Sequence, residues 1–510
     1  MKAAWIQDKE KWRDRGLAAL CIIGLWVFLA VCFDFYYDLN DDSAMKDILS
    51  GTYTGMPDGH NVQMLYPLGW GIALLYRICP VLPWYGIFLC GCQFFVLGAV
   101  LYRLLRYGKG KEQSGKSRRD ILFFLFVLGV FLLLFYEFVF IQYTVTAGLL
   151  VCAGLVWIFG GPKAGEKGFY RYHIVTVVWI LLAFFLRTEM MLLLSPFLGL
   201  AVLCRAADEI GPTDRKTIGK DHRIDKNIKT VIKSYGAVLL TTAVLMGLGL
   251  LADRVAYGSP QWQSFRQFFD DRTQVYDFYG LPAYEDNREF YESLELPVAS
   301  YRLLENYNFE LDETIDQEKM YAIARYAASH QETGPARRLY LSVYTYVYRF
   351  THGQELLFDL FAVFSYFFLC RAALARRNSR LLGRLALLLG LRTALWLFLL
   401  YRGRVPERIT HPLYLAELVM LGLFFLAEQD ALQWKKYEKS AILSLYLILF
   451  LCTALFRIQT VRESFTSREA NNVQWQTWKS YCREHPEDFF YLDVYSTVTY
   501  SEKLFADTSP

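Results

Sequence analysis

Long apolar runs almost bare of charge, joined by short and highly charged connectors, set the limits on this fold. Eleven such runs occur, at about 17–35, 84–105, 121–140, 142–160, 172–187, 189–204, 234–252, 354–370, 385–401, 411–428 and 440–457. Each approaches the ~20 residues that a helix needs to cross hydrocarbon. In lipid every backbone N–H and C=O must be satisfied internally, so only helices and closed barrels span. These runs are apolar all round rather than alternating, which selects helices. The expected fold class is an α-helical polytopic membrane protein of about eleven spans. Charged residues make up 20% of the 510, below the ~25% of soluble domains. The net charge of +4, from 54 basic and 50 acidic residues, is too small to imply a nucleic-acid partner.

Orientation follows from lysine and arginine in short loops. The segment before the first run carries Lys9, Lys11, Arg13 and Arg15. Loop 103–119 carries seven basic residues, loop 371–384 has five arginines, and loop 205–233 has eight basic against five acidic residues. All four are expected in the cytoplasm. The N-terminus is then inside and the C-terminus outside, in a plasma membrane. The run Leu17 to Phe33 is long for a signal-peptide core and reads as a retained anchor. Residues 64–82 are apolar, but a crossing there would carry loop 103–119 outside. They read instead as a helix at the outer face, stopped by Pro80 and Pro83. The turn at Arg187-Thr-Glu189 divides two short spans.

Three polar pieces then lie outside. These are 36–83, the loop 253–339 with sixteen acidic and nine basic residues, and the tail 458–510. The domain reading is a membrane domain, 1–457, followed by an external C-terminal segment, 458–510. The loop is expected to be mainly helical, for example over Ile315 to His330. The tail is expected to hold a helix, Asn472 to Arg483, and a strand at Asp488-Phe-Phe-Tyr-Leu-Asp-Val, a small α/β-type unit. One strand makes no sheet, so either it pairs with the large loop or the tail belongs to a truncated domain. Nine of ten cysteines lie in or beside apolar runs, and no zinc spacing occurs. They read as small buried hydrophobes.

The sharpest cluster follows the first span: Asp34-Phe-Tyr-Tyr-Asp38-Leu-Asn-Asp41-Asp42, four carboxylates in nine residues. Neighbouring carboxylates repel, which raises one pKa and suits a general base or a cation-linked site. The plainer reading is a solvated interfacial turn with Tyr36 and Tyr37 as belt aromatics. Ala44, Met45 and Ile48 follow, then Gly51, Gly55, His60 and Tyr66-Pro67-Leu68-Gly69-Trp70. A second cluster, Tyr401-Arg402-Gly403-Arg404-Val405-Pro406-Glu407-Arg408-Ile409-Thr410-His411-Pro412, lies in a loop placed outside. Three arginines there run against the positive-inside bias, and a guanidinium fork matches phosphate oxygens. Headgroup binding is the plainer alternative. Arg187 and Glu189 sit between two apolar runs, either as an internal ion pair or as a functional pair. Arg392 is a similar mid-span charge. Glu137, Gln142 and Tyr143 flank another outer turn.

The order of these parts resembles the GT-C superfamily of membrane glycosyltransferases, in the branch of protein O-mannosyltransferases and lipid A aminoarabinose transferases. In that superfamily an acidic pair ends the first span and a surface segment with a Pro-Leu step follows. Here Asp41-Asp42 replaces the commoner Asp-Glu, and Tyr66-Pro67-Leu68 has one proline where two are usual. The resemblance covers about residues 15–105 by motif and the rest by topology alone. It implies a polyprenyl-phosphate-linked sugar as donor and a glycan, lipid or protein acceptor at the outer face. It implies Asp41 as catalytic carboxylate with Asp42 beside it. Arg404, Arg408, Arg187 and His411 would hold the donor phosphate. Asp38, His60, Tyr66 and Glu189 would line the acceptor or sugar site. The sequence leaves a metal requirement open: two adjacent carboxylates could share a divalent cation, and no third ligand is evident.

Two further readings stay open: a flippase for lipid-linked saccharides, and a polysaccharide polymerase or ligase. A transporter would place charges deep in its spans, and few are evident in the sequence. Gly110 to Ser117 matches the Walker A pattern, but a P-loop needs a strand before it and a helix after it. A membrane helix precedes this one, so the match is rejected.

Overall fold

The computed structural model describes residues 2–107, 116–210, 221–331, 333–352, 355–428, 436–490 and 499–505. The Walker-like residues Gly110 to Gly115 lie outside them, as does most of the strand expected after Asp488. The described chain is almost wholly helical. In order it runs α1 (Lys2–Cys32), β1 (Tyr36–Tyr37), α2 (Asn40–Ser50), α3 (Tyr66–Ile78), α4 (Trp84–Tyr107), α5 (Lys116–Leu133), α6 (Phe135–Val139), β2 (Phe140–Ile141) and α7 (Tyr143–Phe159). Then come α8 (Phe169–Leu186), α9 (Thr188–Ile210), α10 (Asp221–Ala256), α11 (Pro260–Thr273), α12 (Arg288–Ser293), α13 (Val298–Glu305) and α14 (Gln317–Ser329). The last are α15 (Pro335–His352), α16 (Leu356–Ala375), α17 (Ser379–Tyr401), α18 (Glu407–Ala427) and α19 (Lys436–Glu484).

Among the described residues nine helices are long and apolar enough to cross a membrane: α1, α4, α8, α9, α10, α16, α17, α18 and α19. The protein is a helical membrane protein. The two other expected runs fall on α5, of 18 residues, and on α7. Residues 121–140 break at Leu134, between α5 and α6, and α7 has 17 residues. The apolar stretch at 64–82 forms α3, whose 13 residues span roughly 20 Å at 1.5 Å each, too short to cross. The division at Arg187 is present, as extended backbone between α8 and α9.

Helix α7 is central. Fifteen of its 17 residues are buried, which is why it is apolar on every side rather than on one stripe. It packs against α4, α8, α9 and α18. Gly148 lets α18 close in, because a Cβ there would lie 2.5 Å from the Cβ of Pro412. Residues 260–329 form a separate small core around Tyr291, Leu304, Phe309, Met320 and Ile323.

The connections gather at two ends. At one end Arg205 meets Glu209 at 3.1 Å, Arg384 pairs with Asp208, and Asn378 donates to Glu428 at 3.0 Å. These belong to the basic loops. At the other end the first polar segment, the α17–α18 loop and the 260–329 unit meet: Arg404 pairs with Asp277, and the His60 ring stacks on Trp262.

The tail differs from the sequence expectation. Instead of a span, a break and a separate helix, α19 is continuous for 49 residues. Residues 499–505 do not pair with the large loop. Tyr36 pairs in parallel with Phe140 and bridges antiparallel to Lys503, so the tail adds an edge to a miniature sheet built on the first polar segment. Tyr37 N–H donates to Glu502 O, and Leu504 N–H to Phe35 O, both at 2.9 Å.

Candidate functional site

The acidic pair opens α2, where carboxylates face the helix's unpaired N–H groups. Its two members differ. Asp42 is fully buried. Its Oδ1 accepts from the Tyr85 hydroxyl at 2.9 Å and from the Tyr143 backbone N–H at 3.2 Å. Its Oδ2 is buried with no hydrogen-bond partner among the described residues. Burial pushes the Asp42 carboxyl well above the usual range, the Tyr85 hydrogen bond opposes this, and the charges of Asp41 and Asp38 add to it. Asp41 is half-buried and makes no hydrogen bond or ion pair among the described residues. The pair therefore offers one locked carboxylate and one free one.

Tyr143 lies beside both and organises the rest. Its hydroxyl donates to Gln63 Oε1 at 3.1 Å. Arg187 donates to the same Gln63 oxygen at 2.5 Å, lies 5.4 Å from the Tyr143 ring and meets Glu189 at 3.2 Å. The charges of Arg187, Asp41, Asp42 and Arg408 all act on the Tyr143 hydroxyl. Arg408, half-buried in the first turn of α18, has no ion-pair partner among the described residues. Asp42 and Arg187 thus contact Tyr143 directly, and Asp41 and Arg408 lie within range of its charge interactions, brought from α2, the α8–α9 turn and α18. Such a site can hold an anion by its arginines and offer a base beside it.

Other residues singled out in the sequence are engaged elsewhere. Arg404 pairs with Asp277 and, with Arg402, faces the Phe278 ring, so it fastens the 260–329 unit. His411 is buried, pairs through Nδ1 with Glu137 and stacks on Phe358. His60 stacks on Trp262, with Tyr66 and Tyr257 around it and Asp58 at 2.7 Å from Nδ1. Tyr66 is part of that box, and its backbone N–H donates to Asp253. Asp38 accepts from Arg468 at 2.8 Å and from Tyr136 at 3.0 Å. Glu189 is exposed and reaches the site only through Arg187. Among the described residues no group of three or more His, Cys, Asp or Glu is placed to hold a metal ion. The acidic pair fits one poorly, since Asp42 Oδ1 already takes two donors.

Sequence reasoning missed Gln63, Tyr85 and Arg468. Gln63 and Tyr85 carry no charge and lie in no motif. Arg468 sits in the tail, far along the chain from Asp38.

A second polar group lies deeper. Arg392 of α17 pairs with Asp359 of α16, and with Glu417 of α18 at 2.8 Å, and donates to the Tyr346 hydroxyl at 3.0 Å. All three charged residues are buried.

The chain matches no protein-family model, no curated protein and no solved structure.

Proposed function

We propose that the protein is a membrane glycosyltransferase that takes a sugar from a polyprenyl-phosphate carrier and passes it to an acceptor at the outer face of the plasma membrane. The observation that carries this reading is unpaired Asp41 next to Asp42, whose Oδ1 accepts from the Tyr143 N–H, with the Arg187 guanidinium 5.4 Å from the Tyr143 ring. The arginines hold the donor phosphate; Lys would do so less well, lacking the planar fork. Asp41 takes the proton of the acceptor hydroxyl as its oxygen attacks the anomeric carbon. The bond from that carbon to the phosphate oxygen breaks, and lipid phosphate leaves with the electron pair. The configuration at carbon inverts. Asp42 does not touch the reactants; it fixes α2 through Tyr85 and Tyr143. Arg404 acts indirectly, by fastening the 260–329 unit through Asp277.

The test is surface-glycan composition in cells lacking the gene and complemented with wild type or Asp41→Ala at equal membrane level. Wild type restores a lost sugar and the variant does not. Restoration by both removes Asp41 from the chemistry.

A flippase for lipid-linked saccharides is the second reading, favoured by one observation. The Asp359–Arg392–Glu417 group places three charges among spans, where ionisable residues often mark a transport path. In vesicles, lipid-linked saccharide crossing without any glycoside formed would decide for it.

A further inference from the structure

Helix α15 fails the test for a span, because Arg337, Arg338 and Arg349 interrupt it and its aromatic residues are largely tyrosines. Sequence reasoning put its start in the external loop and left 340–353 unassigned. Its packing places it elsewhere. One face, Ser342, Tyr346, Arg349 and Phe350, lies against the membrane helices α16 and α17. Tyr346 bonds the Thr393 hydroxyl at 3.1 Å and accepts from Arg392 at 3.0 Å. Arg392 precedes the end of α17 at Tyr401 by nine residues, roughly 14 Å along a helix. Half the hydrocarbon thickness is ~15 Å. A helix bonded to α17 at that height is inside the bilayer.

The opposite face agrees. Leu339, Tyr340, Val343, Tyr344, Val347 and Tyr348 recur at helical spacing as one stripe, and all are exposed; Tyr340 is 67%, Tyr344 57% and Val347 62% accessible. In water this would be a large apolar patch of the kind that proteins cover. Arg337, at the head of the helix, is exposed and has no ion pair among the described residues. That is where an arginine reaches headgroup phosphate.

We propose that α15 is a membrane-embedded helix, its Leu339–Tyr348 stripe against lipid acyl chains and Arg337 at the headgroups. The occupant of the stripe is the bilayer, because the neighbouring helices at that height are themselves spans. This inference does not depend on the glycosyltransferase reading. The test uses the full native chain in proteoliposomes with two probes, an apolar diazirine that partitions among acyl chains and hydroxyl radicals generated in water. Leu239 and Leu240 of α10 serve as lipid-facing references, and Tyr321 of α14 as an exposed reference outside the spans. The expected result is diazirine labelling of Val343 to Tyr348 at the level of α10, with loss of radical oxidation at Tyr344 relative to Tyr321. Radical oxidation of Tyr344 equal to that of Tyr321 overturns the proposal, whatever the diazirine does. Protection from both probes overturns it as well, since a second copy or a protein partner would then cover the stripe.

Discussion

Arg468 Nη2 donates to Asp38 Oδ1 at 2.8 Å, joining residues 430 apart in sequence. The same guanidinium reaches Tyr37 O at 3.2 Å, Asp38 O at 3.1 Å and Ser501 Oγ at 2.5 Å. It is the clasp between the long last helix, the acidic segment and the tail. Burial raises the Asp38 carboxyl, and Arg468 and Tyr136 pull it back. Arg468→Ala removes that counterweight. A fully buried pair costs about 3–5 kcal/mol to break from one side; both side chains here keep about a fifth of their exposure, so about 2–3 kcal/mol is expected. Thermal unfolding in detergent measures it. Arg468→Lys restores little, because one ammonium cannot serve four acceptors at the guanidinium's spread.

Lys46 lies on α2, four residues past the acidic pair, and pairs with Glu502 of the tail and with Asp47 at 2.8 Å. Single reversals, Lys46→Glu or Glu502→Lys, place like charges together in a mostly buried setting and lower the unfolding temperature. The double reversal recovers part of the loss, with a coupling energy of about 1–3 kcal/mol. Additive losses would show that the tail does not hold α2.

Asp42 makes stability fall with rising pH. Its folded pKa is raised, chiefly by burial, so between the unfolded value near ~3.9 and the folded value the native state binds more protons than the unfolded one. Unfolding free energy then declines as pH rises through that window. Stability from this group is greatest in acid and lost once Asp42 ionises in the fold. Asp42→Asn, which keeps an oxygen for Tyr85 and the Tyr143 N–H, flattens that slope. Asp42→Ala instead strands both donors, at about 1–3 kcal/mol each. Melting curves of the three proteins at several pH values separate these outcomes.

The spans were legible because a membrane imposes one strong rule, and apolar runs obey it. Within 121–140 hydropathy carries no record of a break such as that at Leu134. Helix α15 escaped because tyrosine scores as polar while still lining a lipid face. In the site, charge was the readable signal. Asp41, Asp42, Arg187 and Arg408 stood out against apolar surroundings, and of these Asp42 and Arg187 meet at Tyr143. Arg404, His411 and Asp38 stood out equally, yet their partners, Asp277, Glu137 and Arg468, come from distant segments. Local sequence shows that a charge exists; which charges neutralise each other is decided by packing. Gln63 gave no signal, being neutral, although it joins Arg187 to Tyr143.

Arg392 separates structure from transport. Arg392→Leu leaves Asp359 and Glu417 buried without their cation, and about 3–5 kcal/mol of destabilisation is expected. Replacing all three by apolar residues of similar volume returns most of it if the group is structural. If the triple variant folds but loses saccharide crossing in vesicles, the group is a transport path and the flippase reading gains.

Asp41 and Arg408 are expected to fail in different ways. Asp41→Asn keeps the size and loses the base, so turnover falls by about 10²–10⁴ while donor affinity stays near wild type. The variant folds normally, since Asp41 has no partner to lose. Arg408→Gln removes one charge-assisted contact to phosphate, worth about 1.5–3 kcal/mol, which appears as a rise of roughly ten- to a hundredfold in the donor KM. Arg187→Gln does the same and also frees Gln63, so Gln63→Leu should reproduce part of its effect without removing a charge. The measurement is steady-state transfer from a polyprenyl-phosphate sugar by purified protein in nanodiscs. Equal kcat losses in Asp41→Asn and Asp42→Asn would mean that α2 acts as a rigid support rather than as the source of a base.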